Sequence, residues 1–425
     1  MRIRDWDRNL KIRLGGEALA NISFWMFFPF LAIFFSDEFG KTTAGLLLIC
    51  SQFFSVIANL FGGYCADLFG RKRMMVLSAF GQGIAFLIFA LSTSPWFFSP
   101  VLGFICFTVV SIFGSLYWPA SQAMIADVVD EKNRSSVFAV FYTSINIAVV
   151  VGPILGGIFY AEHRFELLLI TSFAMVLLGF ILYKWIKETA PMQNRSSQSS
   201  ESLSGLQFLR NQFKEYSVIA QDKVFMLFIL AGILGGITFM QLDLLFPVYT
   251  KEVIVNQTFI SLGNWHVQLN GEQAFGLLIS ENGLLVALLT IAVTGWMSRF
   301  NDKIVFVLSS LIYGVSMILF GVTEWIWGLI FAMGLFTFAE LMVVGIQQNF
   351  ISKIAPEHMR GQYFAAASLR FTIGRMIAPI SIPLTEWIGN SATFVVLCLF
   401  AWISAVLYYV MFTLFERKST KSATI

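Results

Sequence analysis

Six ionisable residues lie where so apolar a chain should carry none. Glu17, Asp243, Glu281 and Glu340 fall inside long hydrophobic runs, and Arg370 and Arg375 share another. A charged side chain at the centre of a membrane helix costs ~2.5–3.5 kcal/mol on insertion scales, so each needs a reason. Glu17 follows Arg13 by one helical turn, and a local salt bridge accounts for it. The other three acids have two uses open to them. Pairing with Arg370 or Arg375 would be structural. A buried carboxyl without such a partner can instead exchange a proton, because burial disfavours the charged form. Three acids set against two arginines leave one for that purpose. Asp243 and Glu340 suit coupling best, whereas for Glu281 coupling and pairing weigh equally. Arg370 and Arg375 also admit another reading, as a clamp on the carboxylate of an anionic or zwitterionic metabolite.

A second concentration of charge is "GGYCADLFGRKR", residues 62–73, between two apolar runs. Asp67 and three consecutive basic residues, Arg71, Lys72 and Arg73, crowd this one segment, and Gly63 and Gly70 flank the acid. Basic residues alone would serve as anchors at a membrane surface, and that role needs neither Asp67 nor Gly70. Aromatics are plentiful in the apolar runs, among them Trp25, Tyr117, Phe141, Tyr142, Phe239 and Phe338. An apolar, aromatic cavity holding a few acids suits amphipathic cations. Other chemistries lack their residues. His163, His266 and His358 are scattered in loops, so no metal site is expected. Cys50, Cys65, Cys106 and Cys398 lie in apolar runs and read as buried thiols. "FGKT" at 39–42 lacks the upstream Gly of a phosphate loop. No Ser/His/Asp or Cys/His constellation suggests catalysis. Neither a cofactor nor a nucleic-acid partner is expected.

The elements that hold these residues follow from composition. Hydrophobic residues make up 57% of the 425 and charged ones 12%, and the mean hydropathy is +0.76; both exclude an ordinary soluble domain. Apolar runs of about 20 residues recur, long enough to cross ~30 Å of hydrocarbon as helices. The short alternating segments of a membrane β-barrel are missing. Twelve spans are expected, near 15–35, 43–66, 74–93, 99–125, 136–160, 165–186, 222–249, 272–297, 303–322, 325–350, 362–386 and 391–414. The charged start, "MRIRDWDRNLKIR", is unlike a signal peptide, so the first span should be retained. With both termini inside, the inner segments hold 23 of the 28 basic residues and the outer loops three, Lys41, Arg164 and Lys251. That bias predicts cytoplasmic termini. Residues 187–221 read as a cytoplasmic linker. Its Ser-rich start runs into an amphipathic helix with Leu206, Leu209, Phe213 and Tyr216 at helical spacing. In the longest outer loop, 251–271, "EVIV" and "WHVQL" predict a short β-hairpin.

The halves on either side of the linker, 1–186 and 222–425, repeat. At an offset of 226, Gln122 meets Gln348, Arg134 meets Arg360, Phe138 meets Phe364 and Pro153 meets Pro379. At 232, Gly63 meets Gly295 and Arg71 meets Lys303, while Asp67 meets Arg299. At 218, Pro29 meets Pro247. Three alignments in consistent order predict two six-helix halves of one topology, with the substrate site at their interface.

Gly63-x-x-x-Asp67-x-x-Gly70-Arg71-Lys72 resembles the signature loop of the major facilitator superfamily, although Leu68 stands where a basic residue is usual. The resemblance implies an all-α fold of twelve transmembrane helices in two pseudo-symmetric halves. It also implies a latch that holds the cytoplasmic side when the transporter faces outward. Gly63 would let helices pack closely. Asp67 would sit near a helix N-terminus, Gly70 would form the turn, and Arg71 would bridge to Asp127. Arg299 and Lys353 replace the acids in the second half, so the latch is expected in the first half alone. "GPILGG", with Gly152, Pro153, Gly156 and Gly157 in span 5, resembles the motif of the drug/proton antiporter branch. The Arg that many members carry in span 4 is absent. The closer likeness is to LmrP-type multidrug/proton antiporters, through "QDKVFMLFILAGILGGITFMQLDLLFP" with Asp243, "FTFAELMVV" with Glu340, and Asp67 and Asp127. Phe141 stands at the carboxylate position of their fifth helix, and span 12 has no acid. The resemblance implies a proton-coupled exporter of amphipathic cations, a monomer in the plasma membrane working by alternating access. Its partners are a small-molecule substrate, protons and lipid, and it is not an enzyme. A membrane enzyme or sensor is the reading from another class, which the repeat disfavours.

Overall fold

The computed structural model describes residues 3–190, 221–263, 265–354 and 360–423. The amphipathic helix expected over 206–216 lies outside them. The elements run α1 (Arg8–Phe27), α2 (Leu31–Phe39), α3 (Lys41–Phe69), α4 (Arg71–Ser92), β1 (Thr93–Ser94), β2 (Phe97–Phe98), α5 (Pro100–Val128), α6 (Glu131–Phe159) and α7 (Arg164–Trp185). Then come α8 (Lys223–Phe239), α9 (Leu245–Val253), β3 (Gln257–Leu262), β4 (Trp265–Leu269) and α10 (Gly271–Met297). The chain closes with α11 (Asp302–Val322), α12 (Ile326–Ile354), α13 (Arg360–Ile377), α14 (Ser381–Ile388) and α15 (Asn390–Ala423).

The helix starts follow capping chemistry. Asp7 accepts the backbone N–H of Asn9 at 2.7 Å and opens α1. Ser99 and Pro100 open α5. Asp222 accepts from the N–H groups of Val224 and Phe225 and opens α8. Gly70, at φ +100°, separates α3 from α4 in a conformation that L side chains avoid.

Three expected spans are broken. A 3-10 turn at Phe28–Phe30, holding Pro29, divides α1 from α2. A second, Met240–Asp243, divides α8 from α9. A third, Ala378–Ile380, holds Pro379 and divides α13 from α14. Proline supplies no N–H to the helical ladder, which accounts for the breaks at Pro29 and Pro379. Among the described residues, eleven helical stretches are long and apolar enough to cross a membrane. The expected span 362–386 is not one of them, because Pro379 divides it and its longer piece carries Arg370 and Arg375.

By its packing the chain divides into two compact units, Met1–Glu201 with Leu269–Gly283, and Ser202–Gln268 with Leu284–Ile425. In the first, α4 packs against α5 and α7, α3 against α5, and α1 against α6 and α7. Its core holds an edge-to-face set of Phe27, Phe34, Phe35 and Phe89. In the second, α15 packs against α8 and α11, α11 against α12, and α8 against α13. Phe228, Phe306, Phe350, Tyr408 and Phe412 fill that core. Large apolar side chains such as Phe173, Leu288 and Ile291 point outward and are exposed, which suits a lipid solvent.

Two local expectations are corrected. "EVIV" is not a strand: Glu252 and Val253 end α9, and the strand that pairs with β4 is Gln257–Leu262. The β-branched run lies too close to the end of a helix that buries Val248, Tyr249 and Thr250. Cys50 is exposed rather than buried, while Cys106 and Cys398 are buried. Cys50 lies in α3, which buries few of its side chains.

Candidate transport site

The charged loop becomes a clasp inside the first unit. Arg71 at the start of α4 pairs with Asp67 in the last turn of α3 and donates to the Ala66 carbonyl at 2.8 Å. Its Nε reaches Asp127 Oδ2 at the end of α5, at 3.3 Å. Asp67 is not at a helix N-terminus, and its side chain is 72% exposed. The carboxylate at the start of α4 is Glu188, which follows α7 and accepts from the N–H groups of Arg71 at 2.8 Å and Lys72 at 3.3 Å. Anions are favoured at that end of a helix. Thr189 donates its hydroxyl to Asp127 at 3.0 Å. Lys187 exchanges hydrogen bonds with Asn9 of α1. Residues 187–189 therefore tie α1, α4 and α5 together. Nothing in the spacing announced Glu188; an acid directly after an apolar span is its one sequence signal. Lys72 lies over the ring of Tyr183 at 5.7 Å.

The two glycines before the clasp exchange roles. Nothing lies within 4 Å of where a Cβ on Gly63 would stand, so the expected close packing does not occur there. Its neighbour Gly62 faces Pro119 at 3.0 Å and the Ser115 carbonyl at 3.2 Å. The sequence motif points to the wrong one because helical glycines one apart face about 100° apart.

The span-5 motif packs as small-residue helices do. A Cβ on Gly152 would meet Trp25 at 2.6 Å, and one on Gly156 would overlap the Met26 carbonyl. Gly157 faces the backbone of Glu272 at 2.9 Å, and Gly276 of α10 abuts the Pro153 carbonyl. Ser280 donates to the Val150 carbonyl at 2.8 Å. Pro153 itself lies within a continuous α6.

The intramembrane charges separate into distinct settings. Asp243 lies in the 3-10 turn that breaks the helix after α8. Its Oδ1 is buried with no hydrogen-bond partner among the described residues, and Arg375 is the charge that acts on it. Glu340 lies in α12 within electrostatic reach of Tyr313. Glu281 belongs to the first unit. Its Oε2 is buried without a hydrogen-bond partner among the described residues. Arg370, 2% exposed, is held by aromatics instead. Its guanidinium lies 4.7 Å from the ring of Phe228 and 4.8 Å from that of Phe371, and it is hydrogen-bonded to Tyr408. Its Nε and Nη1 have no partner among the described residues. Attraction to ring faces offsets part of the cost of burying that cation.

Arg13 and Glu17 form the local bridge, Nε to Oε1 at 2.9 Å, but the bridge belongs to a larger cluster. Tyr117 of α5 donates to the same Glu17 oxygen at 2.6 Å, and Arg13 donates to the Ser121 carbonyl at 3.0 Å and to its hydroxyl. Phe141 closes the other side, its ring 4.9 Å from the guanidinium and stacked on Trp6. Phe141 is therefore a core residue beside an ion pair. Tyr142 is exposed, Trp25 packs on Phe24 and Phe28, Phe239 stacks on Phe336, and Phe338 packs against the second unit's core.

A broken helix carrying a buried acid, two compact helical units and the glycine-rich α6 converge on one family, and its sequence model, described as Major Facilitator Superfamily, matches residues 14–379 and 253–424. The chain belongs to the major facilitator superfamily. It is thus a multi-pass membrane transporter with that superfamily's mostly helical fold, and not an enzyme. A Planococcus maritimus protein named "Na(+), Li(+), K(+)/H(+) antiporter" is 56% identical over 420 residues, covering 99% of each chain. An uncharacterised superfamily transporter of Bacillus subtilis, YqjV, is 27% identical, covering 88% of this chain and 84% of its own. The multidrug resistance protein MdtH of Baumannia cicadellinicola is 21% identical, covering 86% and 81%. Among solved structures, a POT family transporter in complex with a thioalcohol-conjugated peptide superposes with a TM-score of 0.75 at 17% identity, covering 95% and 96%. That likeness concerns the fold.

Proposed function

We propose that this superfamily member exchanges protons for monovalent cations across the plasma membrane, with both termini in the cytoplasm. The observation that carries the reading is the 56% identity, over nearly all of both chains, to a relative named as a Na+, Li+ and K+/H+ antiporter. The chemistry of the interior supports it. Antiport of this kind needs a carboxyl that holds either a proton or a cation, and Asp243 and Glu281 each keep one oxygen buried without a hydrogen-bond partner among the described residues. Non-helical backbone at membrane depth is tolerated where protein or an aqueous cavity surrounds it, and broken helices are where transporters of this kind bind ions. Asp243 lies at such a break.

The deciding experiment uses everted vesicles from cells lacking their own cation/proton antiporters. Respiration acidifies the lumen, and a fluorescent amine reports the gradient. Addition of Na+, Li+ or K+ should dissipate the gradient only where this protein is present. No response to any of the three would sink the reading. Export of organic cations is the second reading, favoured by the MdtH relative and by the aromatics Trp25 and Tyr142. Ethidium uptake in the same vesicles separates it from the first.

A further inference from the structure

The second unit was expected to lack a clasp, because Arg299 and Lys353 replace Asp67 and Asp127. The geometry says otherwise. Lys353, at the end of α12, takes the place of Asp127 in the repeat, and Asp302, at the start of α11, takes the place of Gly70. Lys353 Nζ lies 2.7 Å from Asp302 Oδ2. The tie between these two helix ends survives, but acid and base have changed sides. The neighbouring Lys303, which replaces Arg71, donates to Thr413 at 2.9 Å and to Glu416 Oε2 at 3.4 Å, both on α15. Glu416 follows the second unit's last long apolar run as Glu188 follows the first unit's. Each unit therefore joins the start of its third long helix to its fourth and its sixth by charge.

We propose that the second unit carries its own cytoplasmic clasp of reversed polarity, Asp302 on Lys353 with Lys303 on Glu416 beside it. Its role is to hold that end closed in one state of the transport cycle and to part in the other. Partial exposure fits a contact that must break each cycle: Lys353 and Glu416 are 48% exposed, Asp302 21% and Lys303 19%. Exposed pairs add little to stability, so a gating role explains a four-residue arrangement better than a folding role does.

The inference rests on the reading of the chain as an alternating-access antiporter. Its test is a charge swap in the full-length protein. Asp302→Lys and Lys353→Asp each set like charges face to face. Each should lower kcat for cation-driven proton exchange by about tenfold, within the usual range of coupling between sites, with KM held within about twofold. Asp302→Lys with Lys353→Asp restores the pair in the opposite sense and should recover kcat to within about threefold of the parent. A merely structural pair would move thermal stability and not split kcat from KM. A second readout needs no transport. In a cysteine-free background, Thr294→Cys lies in the last turn of α10, where the native hydroxyl oxygen is buried. The single charge variants should speed its labelling by a maleimide, and the swap should slow it again. If Asp302→Lys does not fold, Asp302→Asn takes its place. Single variants with parental kcat and parental labelling would overturn the proposal, as would a folded swap as impaired as the singles. A parent protein that moves none of the three cations would sink the antiport reading, and the labelling series would still decide the clasp.

Discussion

Asp243 and Glu281 share an unpartnered buried oxygen and differ in what surrounds them. Arg375 acts on Asp243, while no charge among the described residues acts on Glu281. Glu281→Gln should therefore insert normally and lose most cation-driven proton exchange, a drop of about 10-fold or more. Asp243→Asn should lose exchange and also remove the attraction between Asp243 and Arg375, so its melting temperature should fall below that of Glu281→Gln. Melting curves in detergent beside vesicle assays check both, and equal transport by Glu281→Gln and the parent would remove Glu281 from the coupling route. Arg370 calls for the opposite expectation. A buried cation with two donors unmade is costly, so Arg370→Met should hold or raise stability. A fall in Tm of more than about 3 °C, roughly 1 kcal/mol in a domain of this size, would show that the aromatic cage is net stabilising. The sequence made every one of these charges visible, since an ionisable residue in an apolar run stands out. Their partners were not visible. Tyr117 and Ser121 lie 100 and 108 residues from the groups they bond, and a ring that holds Arg370 looks like any other core Phe.

The helices were legible from hydropathy, but their breaks and faces were not. Pro153 and Pro379 correspond in the repeat, yet α6 runs through the first while the second ends a helix. A proline's effect depends on what its freed carbonyl meets, which single-sequence pattern does not carry. Faces produce a sharp contrast at the paired glycines. Gly63→Ala meets open space and should stabilise α3 slightly, by up to about 1 kcal/mol from helix propensity. Gly62→Ala pushes on Pro119 and the Ser115 carbonyl and should destabilise by about 1–3 kcal/mol. Gly156→Val, directed at the Met26 backbone, should be worse than either, because backbone cannot rotate aside. Denaturation of the three variants in one detergent orders them. The reverse order for Gly62 and Gly63 would contradict the packing of α3 on α5.

Across the whole molecule, the distribution of charge decides orientation. The 23 basic residues of the inner segments against three outside predict that residue 199 faces the cytoplasm and Val255 the exterior. In a cysteine-free background, an impermeant thiol reagent should label Val255→Cys in intact cells and Ser199→Cys only after permeabilisation. Labelling of Ser199→Cys in intact cells would invert the topology. The internal repeat was readable from three short alignments, and the fold followed from it. The packing partner of α10 was not readable, since its first part, Leu269–Gly283, groups with the first unit although it follows the second unit's outer loop in sequence. Contact at Gly276 and Ser280 draws it there, and small residues leave little trace in a hydropathy profile.

The strands β3 and β4 are fastened to the start of α12 and the turn before it. Gln257 donates to the Glu324 carbonyl and accepts from the N–H of Ile326 at 3.0 Å, and Trp327 donates its ring N–H to the Phe259 carbonyl at 3.1 Å while the two rings stack. A hairpin fixed in this way presents a folded epitope instead of a loose loop. An antibody fragment raised against it would grip α12 through the hairpin. It would carry the mass and contour that image alignment of so small a membrane protein requires, without touching a single residue of the apolar interior.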